Sequence, residues 1–247
     1  MILLKMGQRE HLEQFRKRGL LYMNSSRYFA EKELKGDSVR WDRFEGTDRV
    51  IQPSELKKMT ITQKDKPPLV VPGSQFVGPI LIAFGRQHAW NVFCMFALRY
   101  PFKSPLVDDR NLTFGDSFVV VLNTMEFLKR ASRAAVKAGF NWRSGPVEYR
   151  DYETHSGETG PFCKPLAFAF QNEFRFAVGP GSSHPIRLWI GDLTDITTPV
   201  LRLAKIKTLI EIRKRPMPSK TRVLALRRRR FSRKMRGYAP SSSTPTE

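Results

Sequence analysis

Apolar residues recur along this chain with two different spacings, which predict short strands separated by a few helices. Residues 8–18 are expected to be helical, because Leu12 and Phe15 fall on one side and Gly19 follows as a stop. Residues 124–138 show the same spacing and are also followed by a glycine, Gly139. Shorter apolar or alternating segments predict strands. They are residues 2–6, 20–24, 79–84, 91–98, 116–122, 147–152, 168–178 and 186–190.

Two further segments complete the predicted order of elements. Residues 27–35 are expected to form a helix after a serine cap, and residues 201–213 a last helix or strand. Strands dominate, which predicts an α+β fold: a mainly antiparallel β core, as a sandwich or a split sheet, with flanking helices. We expect a globular domain over residues 1–215. Two prolines then interrupt regular structure, so residues 216–247 are expected to form a flexible, Arg-rich tail ending in Ser and Pro.

The charge of the chain is concentrated towards its C-terminal end. The whole chain has 43 Lys and Arg against 23 Asp and Glu, a net charge of +20. Residues 201–247 hold 15 of the cations and 2 of the anions, which leaves +7 for residues 1–200. Such density repels itself unless an anion neutralises it, and RNA or DNA phosphate is the predicted partner. The residues expected to contact it are Arg227, Arg228, Arg229, Arg230, Arg233, Lys234 and Arg236.

A tail that only keeps the chain in solution is the simpler alternative, and contact with acidic protein or membrane surfaces is a third. The cysteine pattern predicts neither a disulfide framework nor a metal site, because Cys94 and Cys163 lie 69 positions apart without a histidine cluster. No run of about 18 apolar residues is present, and Lys5 interrupts the short apolar start. We therefore expect a cytoplasmic protein without a membrane partner.

Charged and aromatic residues alternate along residues 170–178, the most distinctive local pattern. Successive side chains of a strand point to opposite faces, so Gln171, Glu173 and Arg175 are expected on one face and the phenylalanines on the other. One interpretation is a half-exposed strand with an ordinary Glu–Arg pair. The other is glycosyl-type transfer, in which a carboxylate over a ribose stabilises an oxocarbenium-like centre. Glu173 is then catalytic, and Gln171 orients the incoming nucleophile.

Gln-x-Glu at the start of a strand resembles the acceptor-side signature of ADP-ribosyltransferases, in which NAD is the donor. The resemblance implies NAD as co-substrate, no metal, and Tyr22, Asn24 and Arg40 as the residues that hold NAD. Each of these has a simpler explanation. Tyr22 suits core packing with a satisfied hydroxyl, Asn24 suits a helix cap, and Arg40 suits a solvated salt-bridge loop with Asp42 and Glu45.

A wider resemblance covers about residues 2–196. The body is similar to a family of uncharacterised proteins common in bacteria and their prophages. One departure is Arg40-Trp41-Asp42, where Arg-Gly-Asp is expected, and the basic tail looks like an addition. The segments that carry the resemblance are Lys5-Met6-Gly7, His11-Leu12, Gly19-Leu20-Leu21-Tyr22-Met23-Asn24, Tyr28-Phe29, Arg40-Trp41-Asp42-Arg43-Phe44-Glu45-Gly46, Gly145-Pro146-Val147-Glu148-Tyr149, Lys164-Pro165 and Gln171-Asn172-Glu173-Phe174-Arg175.

Two classes of function follow from these patterns. The first is an ADP-ribosyltransferase-like enzyme of toxin or phage-defence type that modifies nucleic acid or a nucleic-acid-bound target. The second is a non-enzymatic RNA- or DNA-binding protein, or a ribonucleoprotein component, that uses the same basic tail. A cleft with Glu173 at its floor and Tyr22 and Arg40 on its walls favours the enzyme. Glu173 paired on an exposed sheet favours the scaffold.

Overall fold

The computed structural model describes residues 1–30, 36–83, 90–101 and 105–206. They form a mixed α+β fold with mainly antiparallel sheets, which confirms the predicted class. The helices are α1 (Arg9–Arg18) and α2 (Thr124–Lys137). The strands are β1 (Ile2–Gly7), β2 (Leu20–Ser25), β3 (Arg49–Ile51), β4 (Lys58–Ile61), β5 (Leu69–Pro72), β6 (Ile80–Ile82), β7 (Asn91–Leu98), β8 (Ser117–Val121), β9 (Asn141–Pro146), β10 (Glu148–Arg150), β11 (Gly157–Glu158), β12 (Cys163–Pro165), β13 (Glu173–Gly179), β14 (Ile186–Trp189) and β15 (Leu201–Arg202).

The central sheet is built around β7, which is buried along most of its length. The strand order is β14-β2-β7-β1-β8-β15, and β13 pairs with the other edge of β7 and then with β9. The strand β7 contains a continuous apolar run, as expected for a strand covered on both faces. Three small sheets accompany the central one: β11-β3-β6, the antiparallel pair β4-β5 and the parallel pair β10-β12.

The main core lies on one face of the central sheet, under α1 and α2. Phe15 of α1 stacks on Phe93 of β7 with ring centroids 5.6 Å apart, and it meets Phe127 of α2 edge-on. The predicted spacing in both helices is confirmed, since the residues it placed inward are buried in this core. Gly19 ends α1 with φ of 63°, and a Cβ there would lie 2.0 Å from the carbonyl oxygen of Gly191. This position therefore requires glycine.

The sheet forks at β7. One edge of β7 pairs with β2 through Asn91 and Val92, and with β1 through residues 96–98. Between these two stretches the carbonyl oxygen of Cys94 accepts a hydrogen bond of 2.8 Å from the Lys5 ammonium. A side chain thus replaces the missing strand partner where β1 and β2 diverge. Burial lowers the pKa of Lys5.

Three sequence predictions need correction. Residues 168–171 do not continue the strand, because Leu166–Gln171 is a 3-10 helix that ends at Asn172 in the left-handed region with φ of 41°. The expected helix after Ser26 is a 3-10 turn over Ser26–Ala30, and the remaining residues 31–35 of that prediction lie outside the described ones. Finally, the apolar run that contains β6 is typical of a buried core strand, but Leu81 is 39% exposed and β6 belongs to the small sheet with β3.

The chain divides into two compact units, Met1–Leu203 and Ala204–Glu247. Only residues 204–206 of the second unit are described. The predicted boundary at 215/216 and the predicted tail lie outside the described residues and stay predictions. The same holds for most of the expected element over residues 201–213, of which β15 is the described beginning.

Candidate functional site: a buried ionic cluster around Glu173

Glu173 and Arg175 project from β13 on the face of the central sheet that lies opposite the helices, here called the ionic face. Both are buried, with 6% and 1% of their surface exposed. The predicted alternation is confirmed here, since Phe174 and Phe176 lie in the helix-covered core. The strand is not half-exposed, however. Every residue of β13 is buried, so the ordinary surface-pair interpretation is wrong.

Arg175 is the centre of the cluster. Its guanidinium donates two hydrogen bonds of 2.7 Å to the two carboxylate oxygens of Glu45, and one of 2.6 Å to the carbonyl oxygen of Pro161. Its Nη2 also lies 3.2 Å from Oε2 of Glu173. A planar guanidinium fits a carboxylate in this two-pronged way and stays charged when buried. Arg175 therefore clamps the loop that contains Glu45 onto the sheet.

Lys164 of β12 is the second buried cation. Its Nζ lies 3.4 Å from Oε2 of Glu173 and donates a hydrogen bond of 2.8 Å to Oε1 of Gln171. The amide nitrogen of Gln171 donates in turn to the carbonyl oxygen of Val39, at 2.7 Å. Gln171 thus lies in the 3-10 helix and not in a strand, and Lys164 bridges Gln171 and Glu173. Both hydrogen-bonding ends of the Gln171 amide are engaged inside the protein.

The charges of the cluster hold Glu173 in its ionised form. Burial raises the pKa of this carboxyl, but Arg175 and Lys164 outweigh burial and lower it to about 2. The backbone N–H of Glu173 donates a hydrogen bond of 2.8 Å to the hydroxyl of Tyr149. Burial and the Glu173 charge raise the pKa of Tyr149, so this phenol stays protonated. Glu173 is an ionised carboxylate in a neutralised, enclosed setting.

Asp42 is a second carboxyl at the border of the cluster, and its ionisation is disfavoured. It is 2% exposed, and Oδ1 accepts a hydrogen bond of 3.0 Å from the backbone N–H of Phe44. Oδ2 is buried, and no described residue forms a hydrogen bond with it. Burial, with the neighbouring Glu45 charge, raises the pKa of Asp42 to about 6. Asp42 and Glu45 are therefore part of the interior, and the solvated-loop interpretation fails for both.

Cys94 lies beside Glu173 on the ionic face, and its chemistry is suppressed. Burial, followed by the Glu173 charge and a hydrogen bond to that carboxylate, raises the pKa of the thiol to about 12. A thiol with this pKa supplies almost no thiolate near neutral pH. Cys94 is therefore a structural neighbour of Glu173 and not a nucleophile.

Two of the three residues expected to hold NAD, Asn24 and Tyr22, lie on the same sheet face as the cluster. Asn24 pairs with Val92 on β7, and Arg175 pairs with Cys94 two residues further along. Directly paired residues share a face, so Asn24 and, by alternation, Tyr22 lie on the ionic face with Glu173. Tyr22 is 46% exposed, so the core-packing interpretation is wrong for it.

Arg40 lies next to the cluster in the chain but is not part of it. Its Nη1 lies 3.0 Å from Oδ2 of Asp37, and its guanidinium carbon lies 5.6 Å from the ring centroid of Phe114. The preceding residue, Val39, supplies the carbonyl that Gln171 contacts. The structure therefore brings Gln171, Glu173 and the chain at Arg40 together, while Tyr22 remains on the exposed part of the same sheet face.

Lys164 and Glu45 lie in segments that carry the wider resemblance, but no local pattern pairs them with Glu173 and Arg175. Lys164 is a single lysine in a short strand, and Glu45 joins Arg175 across 130 positions. Among the described residues, no group of three or more His, Cys, Asp and Glu is arranged to hold a metal ion. None of the described helices combines the length and apolarity needed to cross a membrane. The seven tail cations from Arg227 to Arg236 lie outside the described residues.

Comparison with known proteins adds no relative. No protein-family model, no curated protein and no solved structure matches this chain. The resemblances drawn from the Gln-x-Glu pattern and from the body of the sequence therefore stay predictions.

Proposed function

We propose that this chain is a nucleic-acid-binding protein whose basic C-terminal segment contacts the phosphate backbone. The observation that carries the proposal is the density of seven cations within residues 227–236, in a segment of 15 cations and 2 anions. Each phosphate that a cation neutralises releases a condensed counterion, which makes such binding favourable at low salt. The chemistry fits both RNA and DNA.

The state of Glu173 favours binding over catalysis as the first proposal. A carboxylate that stabilises an oxocarbenium-like centre has to face a sugar. Glu173 is 6% exposed, and Oε2 is shared between Arg175 and Lys164. This cluster has the composition of an internal ionic joint that holds the covering loops to the sheet. The pair is enclosed, unlike the exposed pair expected of a scaffold, but the enclosure also keeps Glu173 from facing a sugar.

The test is equilibrium binding of a labelled oligonucleotide to the full chain, followed by fluorescence anisotropy. A protein that makes six or more phosphate contacts loses about 10³-fold or more in affinity between about 50 and 200 mM salt. We expect binding to RNA and DNA with this steep dependence. An affinity that is undetectable at the lowest salt, or that does not change with salt, contradicts the proposal.

An ADP-ribosyltransferase-like activity is the second candidate, and one arrangement favours it. Glu173 is ionised and shares a sheet face with Asn24 and Tyr22. In the reaction the bond between the ribose and nicotinamide breaks, nicotinamide leaves with the bonding electrons, and an acceptor nucleophile bonds to the ribose and loses its proton. Glu173 would stabilise the positive sugar, and Gln171 would orient the acceptor. The loops over Glu173 would have to move aside for NAD to reach it.

Release of nicotinamide from NAD, with RNA, DNA and protein acceptors, tests this candidate. Wild type and Glu173→Gln are compared, because the swap keeps the shape and removes the charge. Loss of one such electrostatic contact costs about 10²–10³ in rate. Gln171→Ala is the matched control, in which some NAD hydrolysis should remain. Equal release by wild type and Glu173→Gln excludes Glu173 from catalysis, and no release with any acceptor removes the candidate.

A further inference from the structure

The paired strands β2 and β14 present an exposed surface on which two aromatic residues adjoin an arginine. We call it the aromatic–arginine surface, and it consists of Leu20, Tyr22, Arg187 and Trp189. Tyr22 is 46% exposed and Trp189 is 51% exposed, and Arg187 is also exposed. Exposed aromatic side chains next to a cation on one sheet face are the groups on which proteins stack bases and bind the backbone of single strands.

The register of the two strands fixes the geometry of this surface. Arg187 pairs directly with Tyr22, and Trp189 pairs directly with Leu20. The guanidinium carbon of Arg187 lies 5.7 Å from the centroid of the Tyr22 ring. Trp189 follows Arg187 by two residues on the same side of β14, so the two aromatic side chains are diagonal neighbours. Arg187 therefore neighbours Tyr22 across the two strands and Trp189 along β14.

The rigidity of the surface comes from its opposite side. The alternate residues Leu21, Met23 and Leu188 are buried in the main core. Because these residues anchor both strands, the positions of Tyr22 and Trp189 are set by the sheet and not by a loop. The strand β14 lies at the edge of the central sheet, so a ligand can approach it from the side as well as from above. A preorganised surface loses little conformational entropy on binding.

The positive charge of the aromatic–arginine surface favours an anionic partner. The strands Leu20–Ser25 and Ile186–Trp189 contain no acidic residue, so Arg187 gives the aromatic–arginine surface a positive charge. Bases stack on aromatic rings without regard to sequence, and arginine meets the phosphate between them. Stacking requires unpaired bases, because a duplex keeps its base faces covered.

We propose that the aromatic–arginine surface stacks unpaired bases of single-stranded RNA or DNA, with Arg187 on the intervening phosphate. The inference rests on the proposed nucleic-acid function and adds to it a second contact surface and a preference for single strands. Tyr22 and Trp189 act as the two stacking platforms. The basic C-terminal segment supplies attraction that does not distinguish strandedness, and the body of the protein supplies the preference.

The test compares the full chain with substituted full chains, using labelled oligo(dT) and oligo(U) of about 16 nucleotides and the matching DNA duplex. Alanine replacement of one stacking residue usually weakens single-strand binding about 5- to 150-fold. We expect Trp189→Ala and Tyr22→Ala each to lower single-strand affinity within this range and to leave duplex affinity unchanged. Trp189→Phe should keep most of the affinity, because it keeps a ring. Arg187→Gln should reduce the salt slope by about 0.7, one single-strand phosphate.

Tyr100→Ala is the matched control. Tyr100 is 85% exposed and follows the end of β7 opposite to the end that pairs with β2. Its replacement should leave single-strand affinity unchanged. Thermal unfolding of each variant checks that the fold is intact, and Tyr22→Ala and Arg187→Gln keep the test valid if Trp189→Ala unfolds.

The outcomes separate this inference from the function on which it depends. If wild type binds single strands and the Trp189, Tyr22 and Arg187 substitutions change nothing, the surface proposal is wrong and the nucleic-acid function stands. If wild type binds no oligonucleotide at all, both fail. If Trp189→Ala instead changes the oligomeric state in size-exclusion chromatography and leaves oligonucleotide affinity intact, the surface is a protein contact and the proposal is overturned.

Discussion

Arg175 and Glu45 form a two-pronged ion pair in the protein interior, with both N–O distances at 2.7 Å and both side chains 1% exposed. The two residues are separated by 130 positions, so their pairing closes a loop that covers the sheet. A buried pair of this kind is not by itself a source of stability, because desolvation offsets much of the attraction. Breaking it, however, leaves one buried charge without its partner.

Glu45→Gln is therefore expected to destabilise the protein by up to about 3–5 kcal/mol, because Arg175 keeps its buried charge and loses the nearer of its two carboxylate partners. Glu148→Gln is the control. Glu148 pairs with Arg150 at 2.7 Å, but its side chain is 66% exposed, and an exposed pair contributes at most about 1 kcal/mol. Urea denaturation of the two variants measures the difference. Equal losses of stability would mean that the interior pair is no more important than the surface pair.

Asp42 predicts a pH dependence with a defined sign. Its pKa rises from 3.8 in the unfolded chain to about 6 in the folded one, so the folded protein holds a proton that the unfolded chain releases between these values. Stability therefore falls as pH rises from about 4 to 6, by about 3 kcal/mol for a shift of this size. Asp42→Asn should remove this loss and keep the acceptor for the Phe44 N–H.

Denaturation at about pH 4.5 and pH 7.5 measures the effect, with the stability of Asp42→Asn compared with wild type at each pH. The stability of Asp42→Asn relative to wild type should be greater at the higher pH than at the lower pH. Glu173 acts in the opposite direction and at lower pH. Its pKa is lowered to about 2, so its contribution is present above 4.5 and is lost as pH falls towards 2. A difference between variant and wild type that is the same at both pH values would show that Asp42 does not titrate in this window.

Substitution of Phe174 measures how much the helix-covered face of β13 contributes to the free energy of unfolding. It is 4% exposed and belongs to the core under the helices. Phe174→Ala should cost about 3–5 kcal/mol, because the removed ring leaves a cavity in close-packed surroundings. Phe174→Leu fills most of that space and should cost less. Thermal or urea unfolding ranks the variants, and a loss below about 1 kcal/mol for the alanine variant would contradict the burial of this side chain.

The parts of the fold that the sequence predicts are those with a periodic pattern. Leu12, Phe15 and Gly19 predict α1 and its end, because one face is apolar and only glycine suits the left-handed residue that follows. The segment before Glu173 misleads, since Phe168 and Phe170 continue an apolar alternation while the backbone turns through Asn172. A side-chain pattern does not report such a backbone reversal.

The sequence indicates the strand that contains Glu173 and Arg175, but it does not indicate the residues that pair with them. Glu173 and Arg175 are noticeable because charged residues are rare in strands. Lys164 and Glu45 reach them only through tertiary structure, and neither their spacing nor their neighbours signals that they are buried. Burial changes the structural role of the Glu–Arg pair. An exposed pair is a minor surface contact, whereas an enclosed pair joins parts of the interior.

The most direct test of the central claim is the salt dependence of oligonucleotide binding by the full chain and by a full-length variant in which all seven cations of residues 227–236 are replaced by glutamine. The logarithm of affinity should fall steeply with the logarithm of salt for wild type. The variant should lose about 0.7 from that slope for each cation that contacts a single-strand phosphate, together with most of its affinity between about 50 and 200 mM salt. Identical affinities and slopes for the two proteins would contradict nucleic-acid binding through this segment.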